Sequence, residues 1–321
     1  MNIVVYRPVR SFCNKKINYG LCSGQSDPVP HMVKHLSNSK NLSKIKTVIF
    51  DCDGVFWLVD QLTPGSLELV EWLKEHNIRV FFLTNNSTKT QASCLEKISR
   101  LGFKDISKKD ILTSAIISAK CLKNIGHKKV FVIGSDAIEE CLSNDNVKVV
   151  RHKEITDKTV TQKIEDLDLS STVLDDSVDA VLIGLDLAVN TMKVILAATY
   201  AKRGVKIYAT NKDASFPNPY GFVMPGAGSN VATVETAMER TVDATFGKPN
   251  TFATELIENF DPNTTMMVGD RIDTDIQFGI NSGCGISCLV LSGITKNQED
   301  APEKAYYASS VADILKSFKN L

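Results

Sequence analysis

No apolar run in the 321 residues approaches the roughly 20 needed to cross a bilayer, so the sequence offers no membrane span. Charge of one sign is also lacking. Lys and Arg number 37 and so do Asp and Glu, which removes any electrostatic argument for nucleic acid or an anionic membrane as partner. None of the eight cysteines forms a CxxC pair, and no Cys/His set has zinc-finger spacing. Cys13, Cys22, Cys52, Cys94, Cys121, Cys141, Cys284 and Cys288 therefore read as reduced thiols, as expected in the cytoplasm. No repeat of fixed period is visible, which excludes a solenoid. No apolar segment follows the first charges, so a secretory signal is not expected.

The first 44 residues have little acid. Asp27 stands alone against Arg7, Arg10, Lys15, Lys16, Lys34, Lys40 and Lys44, with Pro8, Pro28 and Pro30 among them. Without periodicity this reads as a flexible basic tail over residues 1–44. Its composition also suits an organelle transit peptide, which would make the protein mitochondrial, although its prolines fit that poorly.

What is present from residue 45 onward is an alternation of short apolar strands with helical patterns, at 43% hydrophobic and 23% charged residues overall. Thr47–Phe50 reads as a strand running into Asp51-Cys-Asp-Gly54. A helix follows from Ser66 to Glu75, then a strand Arg79–Leu83 ending at Thr84-Asn85-Asn86, then a helix from Lys89 to Leu101 stopped by Gly102. The middle repeats the rhythm. Strands are expected at Val130–Ile133, Ala180–Ile183 and Val205–Tyr208, and helices at Asp136–Leu142, Thr191–Lys202 and Ser229–Glu239. Residues 151–179 read as loop with some helix. At the end, a helix is expected over Phe252–Asn259, and strands at Thr265–Val268 and Cys288–Leu291. The fold class is α/β: a parallel sheet in a Rossmann-like core, with strands apolar along their length because both faces are covered.

Four motifs stand at the carboxyl ends of expected strands or beside them: Asp51-x-Asp53-Gly54, Thr84-Asn85, Lys248, and Gly269-Asp270 with Asp275 following. In open α/β sheets the ligand crevice lies outside those ends, so distant motifs can converge. Each alone has an ordinary meaning: an acidic loop, a turn, a solvated lysine, a helix cap. Together and in order they point to phosphoryl chemistry. Asp51 can share one oxygen with a divalent cation and attack phosphorus with the other. Asp270 adds a second acidic ligand, and hard oxygens suit Mg²⁺. Lys248 offsets the phosphate charge, Thr84 and Asn85 can donate to its oxygens, and Asp53 can protonate the leaving alkoxide and then activate water.

These strings resemble the haloacid dehalogenase superfamily of phosphatases over residues 45–320. Within it, Phe50–Val55, Thr84–Thr90, Pro225–Ser229, Phe246–Pro249 and Met267–Ile276 are similar to the branch of phosphoglycolate, pyridoxal and 4-nitrophenyl phosphatases. The resemblance implies Asp51 as nucleophile, Asp53 as acid/base that also gives a backbone oxygen to Mg²⁺, and Asp270 as third metal ligand. It implies Asn86 and Asp275 as supports behind them. It places the catalytic core at 45–115 and 241–321. A C2-type cap is inserted at 116–240, because about 25 residues between Asp53 and the second strand leave little room there. It also allows a homodimer through the cap.

The branch's specificity loop resembles Thr210–Pro217, with Asn211, Lys212, Asp213 and Phe216 as candidates for contact with the leaving group. Thr210-Asn-x-Asp213 is similar to phosphoglycolate phosphatases, while the Trp-His pair of pyridoxal phosphatases is replaced by Ser215-Phe216. The expectation is a Mg²⁺-dependent hydrolase of a small phosphate monoester, 2-phosphoglycolate first, with pyridoxal, glycerol, sugar or 4-nitrophenyl phosphate as alternatives. A phosphotransferase would use the same intermediate. A receiver-like signalling domain would share the acids, Thr and Lys but not the long insertion. Cys52, lying between the two key aspartates, is a candidate for oxidative sensitivity, against the plainer reading of a buried small residue.

Overall fold

The computed structural model describes residues 33–157, 163, 169–170, 172–216, 218 and 220–321. The earlier part of the basic segment, Cys13, Cys22 and the two prolines at 217 and 219 lie outside the described residues, as does part of the stretch at 151–179.

Along the chain, β1 (Lys34–His35) is followed by β2 (Thr47–Phe50), a small antiparallel pair β3 (Trp57–Leu58) and β4 (Gln61–Leu62), and α1 (Ser66–Glu75). Next come β5 (Arg79–Thr84), α2 (Gln91–Arg100), β6 (Ile111–Thr113) and α3 (Ser114–Ile125). Thr90 and Thr113 cap these two helices, each accepting a main-chain N–H from three residues on. A second set follows: β7 (Lys129–Ile133), α4 (Asp136–Asn144), β8 (Lys148–Val150), α5 (Lys153–Thr156), β9 (Ala180–Ile183), α6 (Thr191–Lys202) and β10 (Lys206–Ala209). The hairpin β11 (Ser215–Phe216) and β12 (Met224–Pro225), α7 (Ala227–Met238) and β13 (Ala244–Thr245) complete it. The chain ends with β14 (Thr265–Gly269), α8 (Gln277–Asn281), β15 (Ile286–Val290), β16 (Tyr306–Ala308) and α9 (Val311–Lys319).

Two parallel sheets result. The larger has the order β1-β16-β15-β14-β2-β5-β6, and the smaller β13-β10-β9-β7-β8. Alternation of side chains assigns each strand two buried faces. Val48, Phe50, Val80, Phe82, Met266 and Val268 join one apolar cluster with α1 and α9. Ile49, Phe81, Leu83 and Met267 join another that also holds α3 and residues Val130, Val132 and Leu182 of the smaller sheet. That shared cluster packs the smaller sheet onto the larger. The opposite face of the smaller sheet, with Phe131, Ile133, Val181 and Ile183, is covered by α6 and α7.

Three differences from the sequence reading stand out. Residues 33–44 are not tail: β1 pairs with Tyr306–Tyr307, and Leu36 and Leu42 are buried. Their lone apolar side chains lacked the periodicity that would have marked them. The helix expected over Phe252–Asn259 is a shorter 3₁₀ helix over Thr251–Leu256. The smaller sheet takes its edge strand from Ala244–Thr245, beyond residue 240. Among the described residues no helix is long and apolar enough to cross a membrane.

Candidate active site

β14, β2 and β5 are neighbours, and their register sets Val268, Phe50 and Phe82 side by side. Asp51, Thr84 and Asp270 consequently emerge together at one edge of the sheet. Lys248 arrives from the smaller sheet: Gly247 N–H, just past β13, donates to the Thr210 carbonyl at 2.7 Å. The Lys248 ammonium lies 2.5 Å from Asp51 Oδ1, 2.7 Å from Asp275 Oδ1 and 2.9 Å from the Leu83 carbonyl oxygen, with 2% of its side chain exposed. Burial alone would lower its pKa, but the charges of Asp275 and Asp51 outweigh that and hold it above its ordinary value.

Asp51, Asp270 and Asp275 each offer a carboxylate oxygen within 4.8 Å of the others. One ammonium cannot neutralise three carboxylates. Burial, together with the neighbouring Asp275 and Asp270, pushes Asp51 well above the usual carboxylate range despite Lys248. Burial and Asp275 push Asp270 up to about 6. This excess of buried negative charge on hard oxygens fits a divalent cation such as Mg²⁺. Asp275 is already fully engaged. Its Oδ2 accepts the N–H groups of Asp270 and Arg271 at 3.1 and 3.0 Å, and its Oδ1 accepts from Lys248. It braces the cluster, from a π-helical turn over Ile272–Ile276 that swings it back onto β14.

Around this cluster lies a cavity of about 520 Å³ lined by residues of both sheets. Asp53 lines it but turns away from the three carboxylates: Oδ1 accepts from Trp57 Nε1 at 2.8 Å, and 44% of its side chain is exposed. It therefore sits nearer the mouth. Thr84 lines the cavity, its hydroxyl oxygen accepting Asn86 N–H at 3.1 Å. Asn86 is exposed and caps its own turn through Thr88, so its side chain does not support the carboxylates. The Asn85 side-chain amide is taken up by Lys248 and Asp213 rather than turned to the cavity as a donor.

Of the loop candidates, Asn211, Asp213 and Phe216 line the cavity. Lys212 does not, and instead pairs with Glu235 at 2.7 Å on the outer side. An i, i+2 alternation in the loop turns it away, which composition could not reveal. Asn211 accepts from Thr210 Oγ1 at 2.9 Å. Two features had no role assigned from sequence. Arg271 lines the cavity, its Nη2 paired with Asp273 at 3.0 Å. Leu58, Leu185, Leu187 and Ile294 give the cavity an apolar lining drawn from three separate stretches of chain. The signal for Arg271 was its place directly after Asp270; the lining had none.

A family model described as haloacid dehalogenase-like hydrolase matches residues 48–148, and a HAD-hydrolase-like model matches residues 245–314. The chain is 35% identical to a 4-nitrophenylphosphatase of Schizosaccharomyces pombe, over 89% of this chain and 100% of that protein. It is also 35% identical to phosphoglycolate phosphatase 2 of Arabidopsis thaliana, over 87% and 96% respectively. Among solved structures, a 4-nitrophenylphosphatase from Thermotoga maritima superposes with a TM-score of 0.72 at 29% identity, over 86% of this chain and 98% of that one.

Proposed function

Because the chain belongs to the haloacid dehalogenase-like hydrolases, we propose that it is a Mg²⁺-dependent phosphatase of small monoesters, with Asp51 as nucleophile. The observation that carries this reading is the Asp51 carboxylate, held by Lys248 at 2.5 Å at the floor of the cavity. Asp51 and Asp270 would hold the metal, with Asp275 behind them. Bound there, Mg²⁺ supplies the charge neutralisation that lets an anionic nucleophile approach an anionic phosphate. The Asp51 oxygen forms a bond to phosphorus as the ester P–O bond breaks, and the departing alkoxide takes a proton from Asp53. Asp53, now a base, removes a proton from water. The resulting hydroxide displaces the phosphate from Asp51 and restores its carboxylate. Thr84 and Lys248 hold phosphate oxygens throughout. The smaller sheet and its loop serve as the cap that excludes water.

The substrate we favour is 2-phosphoglycolate. The supporting features are the Thr210-Asn-x-Asp213 string, the likeness to a phosphoglycolate phosphatase, and Arg271, a cationic residue that lines the cavity. Arg271 replaces Lys212 as the partner for a distal carboxylate. The apolar lining of Leu58, Leu187 and Ile294 favours the second reading, an aromatic ester such as 4-nitrophenyl phosphate. Phosphate release from 2-phosphoglycolate, glycerol 3-phosphate, pyridoxal phosphate, sugar phosphates, nucleotides and 4-nitrophenyl phosphate, each with Mg²⁺, separates these. Asp51→Asn is expected to lose all but about 1% of turnover or less on the best substrate while melting as a folded protein. Retention of substantial turnover in that variant would rule out the covalent route.

A further inference from the structure

Lys248 is held by its main chain as well as by its ammonium. Its N–H donates to Asn85 Oδ1 at 2.9 Å, and its carbonyl accepts from Asn85 Nδ2 at 3.1 Å. The same Nδ2 donates to Asp213 Oδ1 at 3.0 Å. A primary amide has two N–H donors and one acceptor oxygen, and in Asn85 both donors and the oxygen are engaged in these three bonds. Asn85 follows β5 of the larger sheet, whereas Asp213 lies in the loop after β10 of the smaller one. One side chain thus ties the lysine to a residue of the covering loop. The approach is close: a Cβ on Gly247 would lie 2.6 Å from both Asn85 Oδ1 and the Thr210 carbonyl oxygen.

The chemistry of Asp213 gives this contact a direction. An ionised carboxylate only accepts hydrogen bonds. Facing Asn85, it admits the amide in one orientation, with Nδ2 toward Asp213 and Oδ1 toward Lys248 N–H. The flipped amide would set two acceptors against each other at Asp213 and two donors against each other at Lys248. Asp213 is half-buried at the wall of the cavity, and its Oδ1 is engaged by Asn85.

We propose that Asp213 is a positioning residue, which orients Asn85 and through it fixes the main chain of Lys248, so that seating of the loop sets the lysine against Asp51. This rests on the phosphatase reading, and it departs from the expectation that Asp213 reads the leaving group. Because Lys248 serves the phosphate, common to every substrate, losing Asp213 must cost all substrates alike.

The test compares wild type, Asp213→Ala and Asp213→Asn on 2-phosphoglycolate, glycerol 3-phosphate and 4-nitrophenyl phosphate. It is combined with hydrogen–deuterium exchange of a peptide covering Gly247–Asn250 in the substrate-free protein. The expected result is a kcat lower by about tenfold in Asp213→Ala, by the same factor on each substrate. KM is expected to change by less than about twofold. Asp213→Asn keeps an acceptor oxygen and is expected to restore most of the loss. Exchange at Lys248 is expected to speed up in the Ala variant and to stay near wild type in the Asn variant, with the remaining peptides unchanged. A loss concentrated on one substrate, or carried in KM, would make Asp213 a leaving-group contact and overturn the proposal. Unchanged exchange at Lys248 would overturn it as well. If wild type released phosphate from none of the esters, the phosphatase reading would fall, while the exchange comparison would still decide whether Asp213 holds the lysine segment.

Discussion

A methyl group at residue 54 would sit 2.2 Å from Asp270 Oδ2, on a backbone whose φ is +87°. Gly54 is therefore required twice, for the turn after Asp53 and for the approach of Asp270. Gly54→Ala is expected to lower kcat/KM by about 100-fold or more, since a displacement of roughly 1 Å at a reacting centre has that effect. Activity with 4-nitrophenyl phosphate, read beside a thermal melt, checks it, and near-normal turnover would show that Asp270 tolerates displacement. Cys52, between the two aspartates, has an opposite character. It is 5% exposed, and burial, with the charges of Asp51 and Asp53, pushes its thiol well above the ordinary value. The thiolate is the reactive form, so the burial and this shift favour the plainer of its two sequence readings, a buried small residue. Cys52→Ala is expected to lose activity to peroxide at the same rate as wild type. A resistant variant would restore the case for a redox role.

Among the elements, the short edge of the larger sheet departs most from what composition suggested. β1 has two residues, yet Leu36 beside it is wholly buried and joins the cluster that holds Phe50 and Val268. Leu36→Ala should cost about 2–5 kcal/mol, the range for deleting a buried leucine. The denaturant midpoint reads this, and a cost below about 1 kcal/mol would place Leu36 outside the core. The helices show why some elements were legible and others not. α6 was read at its observed bounds, Thr191–Lys202, because Asn190 caps it and apolar residues run through it. β6 and α3 were missed. The first half of α3, Ser114–Ala119, is buried on all sides, and its polar residues Lys120, Lys123 and Asn124 come only in the second half, so no helical period runs along its length.

At the scale of the whole molecule, the site concentrates negative charge that the fold alone does not neutralise. Asp270 is pushed up to about 6 by burial and by Asp275. Its folded pKa lies above the unfolded carboxylate value, so the folded state binds this proton more tightly. Its contribution to stability is therefore full at pH values below about 4 and fades as the pH rises through about 6. Metal-free protein should gain melting temperature from this group between pH 7 and pH 5, and Asp270→Asn should lose that gain. Chelator should abolish activity and Mg²⁺ restore it, while raising the melting temperature at pH 7. Full turnover in excess chelator would contradict the metal requirement. The alternation of strands with helices, the α/β class and the identity of the acidic and basic residues are written in the sequence, because strand ends and short motifs are local: Asp51, Thr84, Lys248 and Asp270 each follow an apolar run or a glycine. What surrounds them is not local. Lys212 turns out to Glu235, Arg271 lines the cavity, Asn85 spans from β5 to the Asp213 loop, and Leu58, Leu187 and Ile294 line the same cavity from separate parts of the chain. Those placements depend on how the smaller sheet packs over the larger through their shared cluster of Ile49, Met267, Val132 and Leu182. That is a long-range outcome of side-chain fit, which no window of sequence contains.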